Sequence, residues 1–562
     1  MPIRRMRSDT PAAPGVFARL VLMLAALSLT SCPHQARSLR RARGGATKAV
    51  RPTHREVRRL VSDTAARAER LTGPQIPAPP YVTPGEPIVP ADDPGTAPPA
   101  DPVESESATL PNPSEAAVTS GAAPASNLPE RLNELPEQLI YSIGRETQIY
   151  AAPKFDARRI GYLRYGAEVR RTTEAVSHRN CAGGWFGIKP SGFVCVNGRA
   201  ATSDANHPLV QARIARPERM DALPYAYTLA RHGVPRLFSY APGPGEFLSN
   251  SAARRLAQID HLRTMPLPDE WRRPREVFGY ERPRDKASLG NGLPGSGLAL
   301  VGFYTDAGRL YGVTPDLELV STDALEPVTP SHFAGKALGA SDTLPVAFAM
   351  KSAWAFQGDP RRGAPKPIRQ LARREAVFLN DEHVNAQRIE WRQMRDGNWV
   401  HAADLRIVEA RTEWPDWAKA GHVWVDVSIQ LQSLVAYEGN RPAYVTLVST
   451  GVDGLNDPAT TKSTKTGVFH IVSKHLTATM NSDDSEDAYE MREVPWVQYF
   501  SEGYALHGAY WHDAFGQPRS HGCVNLSPLD ARWLFHFTSP GVPKNWHGAI
   551  PSEGSATVYV HP

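Results

Sequence analysis

Cysteine is scarce in this chain, with Cys32, Cys181, Cys195 and Cys523 the four present in 562 residues. No C-x-x-C or H-E-x-x-H spacing occurs, so the paired ligand patterns of common zinc sites are missing. His507, His512, His521 and Cys523 could still supply metal ligands. The apolar run Leu20 to Leu29 is too short to span a membrane. Aromatics are absent from the basic run Arg40, Arg41, Arg43, Arg51, Arg55, Arg58 and Arg59. No binding motif follows that run, which argues against nucleic acid as a partner and for a solvated face. Residues 73–128 have few large apolar side chains but much Pro, Ala, Ser and Glu, as in Pro77-Ala78-Pro79-Pro80. Such a stretch cannot bury a core and reads as a tether.

What is present points to several parts. A chain of this length suggests about three or four domains. The net charge of +5 and pI of about 8.9 owe much to the N-terminal basic residues. Arg4, Arg5, Arg7 and Arg19 precede the run from Leu20 to Leu29, the pattern of a secretion signal over residues 1–31. The run ends in Leu29-Thr30-Ser31-Cys32, which resembles a bacterial lipobox; that resemblance makes Cys32 a lipidated first residue, with simple cleavage as the alternative. A lipid chain would anchor the protein to a membrane rather than carry it across. A disordered tether is then expected over residues 32–135.

Short alternating segments separated by Gly, Pro or Asn mark residues 136–201 as a small β-barrel: Ile149-Tyr150, Ile160 to Leu163, Trp185 to Ile188 and Phe193 to Val196. Their order resembles bacterial SH3-like domains, which implies wall binding or spacing. Cys181 and Cys195 lie in this module and could pair in an oxidising compartment, or stay as buried thiols. Residues 205–420 hold strand patterns at 298–304, 310–314, 317–320 and 397–408, with helical periodicity near Ala252 to Leu262. Further SH3-like units are one reading of that middle region.

The stretch that carries chemistry lies near the C-terminus. His507-Gly508 is followed by Ser520-His521-Gly522-Cys523-Val524-Asn525-Leu526. A cysteine acts as a thiolate, so it needs a base or a positive environment, and a Gly beside it lets backbone N–H groups approach an oxyanion. A free cysteine is otherwise a small buried hydrophobe. His507 and His521 both remain candidate bases on spacing alone.

This signature resembles that of the L,D-transpeptidases, the YkuD-type catalytic domain, over residues 421–562. Trp424 to Ser428, Tyr437-Glu438, Val448 to Gly451 and Thr464 to Phe469 add to the likeness, with Lys465 where the family usually has Pro. The resemblance implies a mainly β protein: a C-terminal YkuD-type β-sandwich with a short helix after the nucleophile, preceded by SH3-like module(s) and the tether. It implies Cys523 as nucleophile, His507 as base and the Gly508 carbonyl as the group that orients the ring. The N–H groups of His521, Gly522 and Cys523 would form the oxyanion hole, with Ser520 and Asn525 holding the turn. The substrates implied are peptidoglycan stem peptides at the cell envelope, with no cofactor and no metal. Hydrolysis of the same linkages and wall binding without catalysis are the alternatives. Ser527 to Phe537 reads as the helix, capped by Ser527 with Pro528 in its first turn.

Overall fold

The computed structural model describes residues 138–211, 214–238, 288–306, 309–482 and 488–562. The signal, the tether, Cys32 and the helical pattern near Ala252 lie outside these residues. The described part is mainly β, arranged in open sheets.

Two sheets sandwich the C-terminal core. In the first, Val423–Ser428 lies between Ser433–Glu438, antiparallel, and Thr557–His561, parallel; Arg441–Leu447 and Gly467–His470 extend it. In the second, Ser473–Ser482 pairs with Tyr489–Ser501, which pairs with Tyr504–Gly508. Val425, Val427, Leu434, Tyr444, Trp496, Leu506, Val524, Leu526, Trp533 and Leu534 share one buried cluster from both sheets and from helix Pro528–Phe537. Ser527 caps that helix by accepting the Asp530 N–H at 3.1 Å, and Pro528 opens it. Trp533 stacks on Tyr444 at 4.2 Å and on Phe537 at 4.7 Å. Asp530 is buried, and its carboxylate accepts from the Gly335 N–H (2.8 Å), Tyr444 (2.6 Å) and Thr446. At the other end of the helix, buried Lys474 donates to the carbonyls of Phe535 (2.5 Å) and Thr538 (2.7 Å).

The stretch at 136–201, expected as a barrel closed on itself, divides between sheets. Leu139–Ser142 pairs with Glu168–Arg170 and Ala201–Thr202. Arg159–Leu163 pairs on one side with Thr147–Tyr150 and on the other with Gly548–Ala549, which pairs with Ser473–Ser482. An open strand edge presents unpaired N–H and C=O groups, and here Gly548–Ala549 satisfies them. Trp546 enters the same core as Ile140, Ile149, Leu163 and Val194. A disulfide joins Cys181 to Cys195, with Cα atoms 5.9 Å apart.

The middle region adds strands to the second sheet and forms two further sheets, the first five-stranded, from Arg236–Phe238, Ser288–Asn291, Gly302–Asp306, Arg309–Val313 and Leu319–Ser321. Ala226–Ala230, Gly297–Leu300 and Leu325–Pro327 attach to the second sheet, Gly297 pairing in parallel with Met491. Residues 346–408 make a seven-stranded sheet of their own. Arg164 ties three parts of the chain: its guanidinium bonds Asp316 at 2.6 Å and Glu493 at 3.0 Å.

Candidate active site

The site begins with strand register. Tyr504–Gly508 runs parallel to Val524–Leu526, with Leu506 opposite Val524, His507 opposite Asn525 and Gly508 opposite Leu526. Alternation then sorts the side chains. Leu506, Val524 and Leu526 face the sandwich core. Ala505, His507, Cys523 and Asn525 fall on the other face. Cys523 packs there against Ala505, Val494 and Val497, with Met480, Met491, Tyr499 and Trp511 nearby.

The loop before Cys523 is held from several directions. Ser520 Oγ accepts the Gly522 N–H at 3.1 Å and donates to the Cys523 carbonyl. Gly522 has φ +127°, and a Cβ there would come within 2.9 Å of the Tyr504 ring, so only glycine fits. Thr464 Oγ1 donates to the Gly522 carbonyl at 2.7 Å and accepts the Gly451 N–H at 2.8 Å. Arg519 and Ser520 both donate backbone N–H groups to the Thr450 carbonyl. The Gly522 N–H is thus already used within the turn. The Cys523 N–H makes no hydrogen bond among the described residues and remains available to an oxyanion.

His507 is buried, and its Nδ1 lies 3.3 Å from the Gly508 carbonyl. A carbonyl only accepts, so Nδ1 carries the proton and Nε2 the lone pair. Burial pulls the ring down to about 4, against the opposing pull of the Gly508 carbonyl. Burial pushes the Cys523 thiol up to about 11, the Ala505 N–H partly offsetting this. At neutral pH the pair rests as thiol and neutral imidazole. The S–H points at the Gly503 carbonyl, 3.6 Å away.

His521 is exposed, with its ring 4.7 Å from that of Tyr489. His507 is therefore the enclosed ring and His521 the solvent-side one. The Asn525 backbone bonds Ser449 in both directions at 2.9 Å. Its side chain does not brace the turn but meets His512, 2.9 Å from Nε2. Among the described residues no three His, Cys, Asp or Glu groups are placed to hold a metal together. The sequence pattern marked Thr464 and Ser449 only as parts of a likeness and gave no sign of the His512–Asn525 contact. Thr464 and Ser449 come from connecting segments distant in sequence, while His512 lies 13 residues from Asn525.

Behind the segment Tyr510–Asp513 a cleft of about 560 Å³ opens, lined by Glu326, Thr329, Arg374, Trp511 and His512 among others. The Trp511 ring lies 5.8 Å from that of His507. Arg374 holds this segment through Asp513, at 2.5 and 2.7 Å.

Residues 422–545 match the family model of YkuD, the L,D-transpeptidase catalytic domain. The putative L,D-transpeptidase YciB of Bacillus subtilis is 28% identical over 149 residues, 22% of this chain and 64% of that protein. L,D-transpeptidase 1 of Mycobacterium tuberculosis is 34% identical over 90 residues, 15% of this chain and 36% of that protein. The chain thus spans less than two thirds of the length of these curated relatives. Among solved structures, the catalytic domain of the Enterococcus faecium L,D-transpeptidase aligns with 25% of this chain and 98% of its own, at 22% identity and a TM-score of 0.20. An L,D-transpeptidase from Stackebrandtia nassauensis aligns with 25% of this chain and 56% of its own, at 26% identity and a TM-score of 0.18.

Proposed function

We propose, from the premise that residues 422–545 are a YkuD-type L,D-transpeptidase catalytic domain, that the protein joins peptidoglycan stem peptides through a thioester on Cys523. The observation that carries this reading is the register that puts Cys523 and His507 on one sheet face, with His507 Nε2 deprotonated.

In the first half-reaction the Cys523 proton passes to His507 Nε2 as sulfur attacks the carbonyl of a stem's third residue. The bond to the terminal D-alanine breaks, and His507 returns the proton to the leaving amine. In the second, the side-chain amine of another stem attacks the thioester. Its proton passes through His507 to the departing sulfur. The Gly508 carbonyl holds the ring, and the Cys523 N–H faces the oxyanion. Ser520 and Thr464 keep the loop in shape.

The remaining assignments follow the same reading. Cys32 carries the lipid, residues 32–135 are the tether, and residues 136–201 are an SH3-like unit that spaces the domain from the membrane or touches the wall. The cleft beside Trp511 gives the second peptide a route toward the site.

The test is to incubate the protein and its Cys523→Ala variant with disaccharide-tetrapeptides and analyse the products by mass spectrometry. Dimers linked between third residues, absent with the variant, are expected. Tripeptides without dimers would make the enzyme a hydrolase. Folded protein with neither product nor a carbapenem adduct on Cys523 would leave only wall binding.

A further inference from the structure

Two hydrogen bonds at His512 fix the orientation of Asn525. His512 Nδ1 lies 3.2 Å from the Ala514 backbone N–H, which can only donate. Nδ1 is therefore an acceptor, and the neutral ring has its proton on Nε2. That Nε2 lies 2.9 Å from Asn525 Nδ2, which would set one donor against another. Turning the Asn525 amide over removes the conflict, because amide N and O are assigned from the hydrogen-bond network. Its Oδ1 then accepts from His512 Nε2–H. Its NH2 takes the place of the buried atom that has no partner among the described residues. Asn525 is 2% exposed, so that NH2 is a buried, unsatisfied donor. It belongs to the face shared by His507 and Cys523, since Asn525 stands opposite His507 and two residues after Cys523.

We propose that Asn525 presents this NH2 to the peptide carbonyl at Cys523, and that His512 is the positioning residue that holds the amide in that orientation. The inference rests on the acyl-transfer reading of Cys523. It adds a side-chain donor to the Cys523 N–H, whose Gly522 neighbour is engaged in the turn. Burial keeps the His512 ring neutral, at about 4, so the orientation does not change through the neutral range. His512 falls outside the Ser-His-Gly-Cys run, and its neighbours Trp511 and Asp513 line the cleft described above.

Three measurements test this on the full chain. Long-range nitrogen–proton correlation spectra should show His512 as the Nε2–H tautomer; the Nδ1–H form overturns the proposal. Carbapenem acylation of Cys523 should slow about tenfold in His512→Phe, the loss of one hydrogen bond in the transition state. It should recover to within about threefold in His512→Gln, whose amide keeps a donor near the Nε2 position. Acylation in the His512→Phe, Asn525→Ala double variant should match Asn525→Ala alone, because the two act as a unit. Additive losses, a His512→Phe variant as fast as the parent, or no recovery with Gln would each overturn it. Iodoacetamide labelling of Cys523, unchanged within about twofold, confirms that each variant is folded around the thiol. A protein that acylates normally but never yields stem dimers refutes the transpeptidase reading and leaves this one standing.

Discussion

The resting state of the nucleophile leads to a prediction that separates two ways of activating a cysteine. A preformed thiolate–imidazolium pair would hold the thiol below its ordinary value and the ring above its own. The structure has the reverse. Burial lifts Cys523 from an ordinary 9.0 to about 11 and pulls His507 from 6.5 to about 4. Two units fewer in thiolate stability mean about a hundredfold less thiolate at pH 7 than an unperturbed cysteine has. A more basic thiolate is also a better nucleophile, with a Brønsted slope near 0.45, which returns about tenfold. Iodoacetamide should therefore label Cys523 about tenfold more slowly than free cysteine at pH 7. The rate should climb about tenfold per pH unit up to pH 10, with no plateau between pH 5 and pH 8. Because the folded value is raised, the group's stabilising effect is complete below 9.0 and fades as pH rises toward about 11.

His507 supplies the second arm of the same assay. A neutral ring adds no positive charge near sulfur, so His507→Ala should change labelling at pH 7 by less than about twofold. Acylation by a carbapenem needs the proton moved during attack, and there the same variant should lose about 10²–10⁴-fold. A labelling plateau near neutrality, or a His507→Ala variant labelled tenfold more slowly, would refute the neutral-pair account. The ion pair would then have to be present before any substrate binds.

Three other perturbations bear on the frame around the site. Gly522→Ala forces a side chain into φ +127° and against Tyr504, so acylation should fall at least about tenfold and thermal stability by about 1–3 kcal/mol, read by stopped-flow and calorimetry. Arg374→Ala removes the paired bonds to Asp513, whose carboxyl Arg374 and Ser331 hold below its usual range against the effect of burial. Amide exchange over Tyr510–Phe515 should accelerate about tenfold, with no change over Val423–Ser428. Replacing Cys181 and Cys195 together with Ser opens a bridge of sequence separation 14 and should cost about 3 kcal/mol in urea melts, with Cys523 acylation unaltered.

The parts of the site that could be read from sequence are those whose meaning is local. Ser520 to Asn525 is one turn and one short strand, and its spacing carries the Ser520 bracket, the Gly522 conformation and the place of Cys523. The helix from Pro528 was equally legible, since Ser527 and Pro528 are start signals. What could not be read depends on partners tens to hundreds of residues away. Arg164 meets Glu493 across a separation of 329, and Thr464 reaches Gly522 across 58. Residues 136–201 have the strand pattern of a self-contained barrel, because pairing with Gly548–Ala549 leaves no mark within them. Protonation is the deepest case. The residues flanking Cys523 suggest an activated thiol, yet its proton affinity is set by Val494, Val497 and Ala505, apolar neighbours from the adjoining strands. A thiol kept neutral by burial is a poor target for oxidants, which attack the thiolate. On the proposed acyl-transfer reading, reactivity arrives with the peptide, when its carbonyl meets the Cys523 N–H and sulfur passes its proton to His507 Nε2.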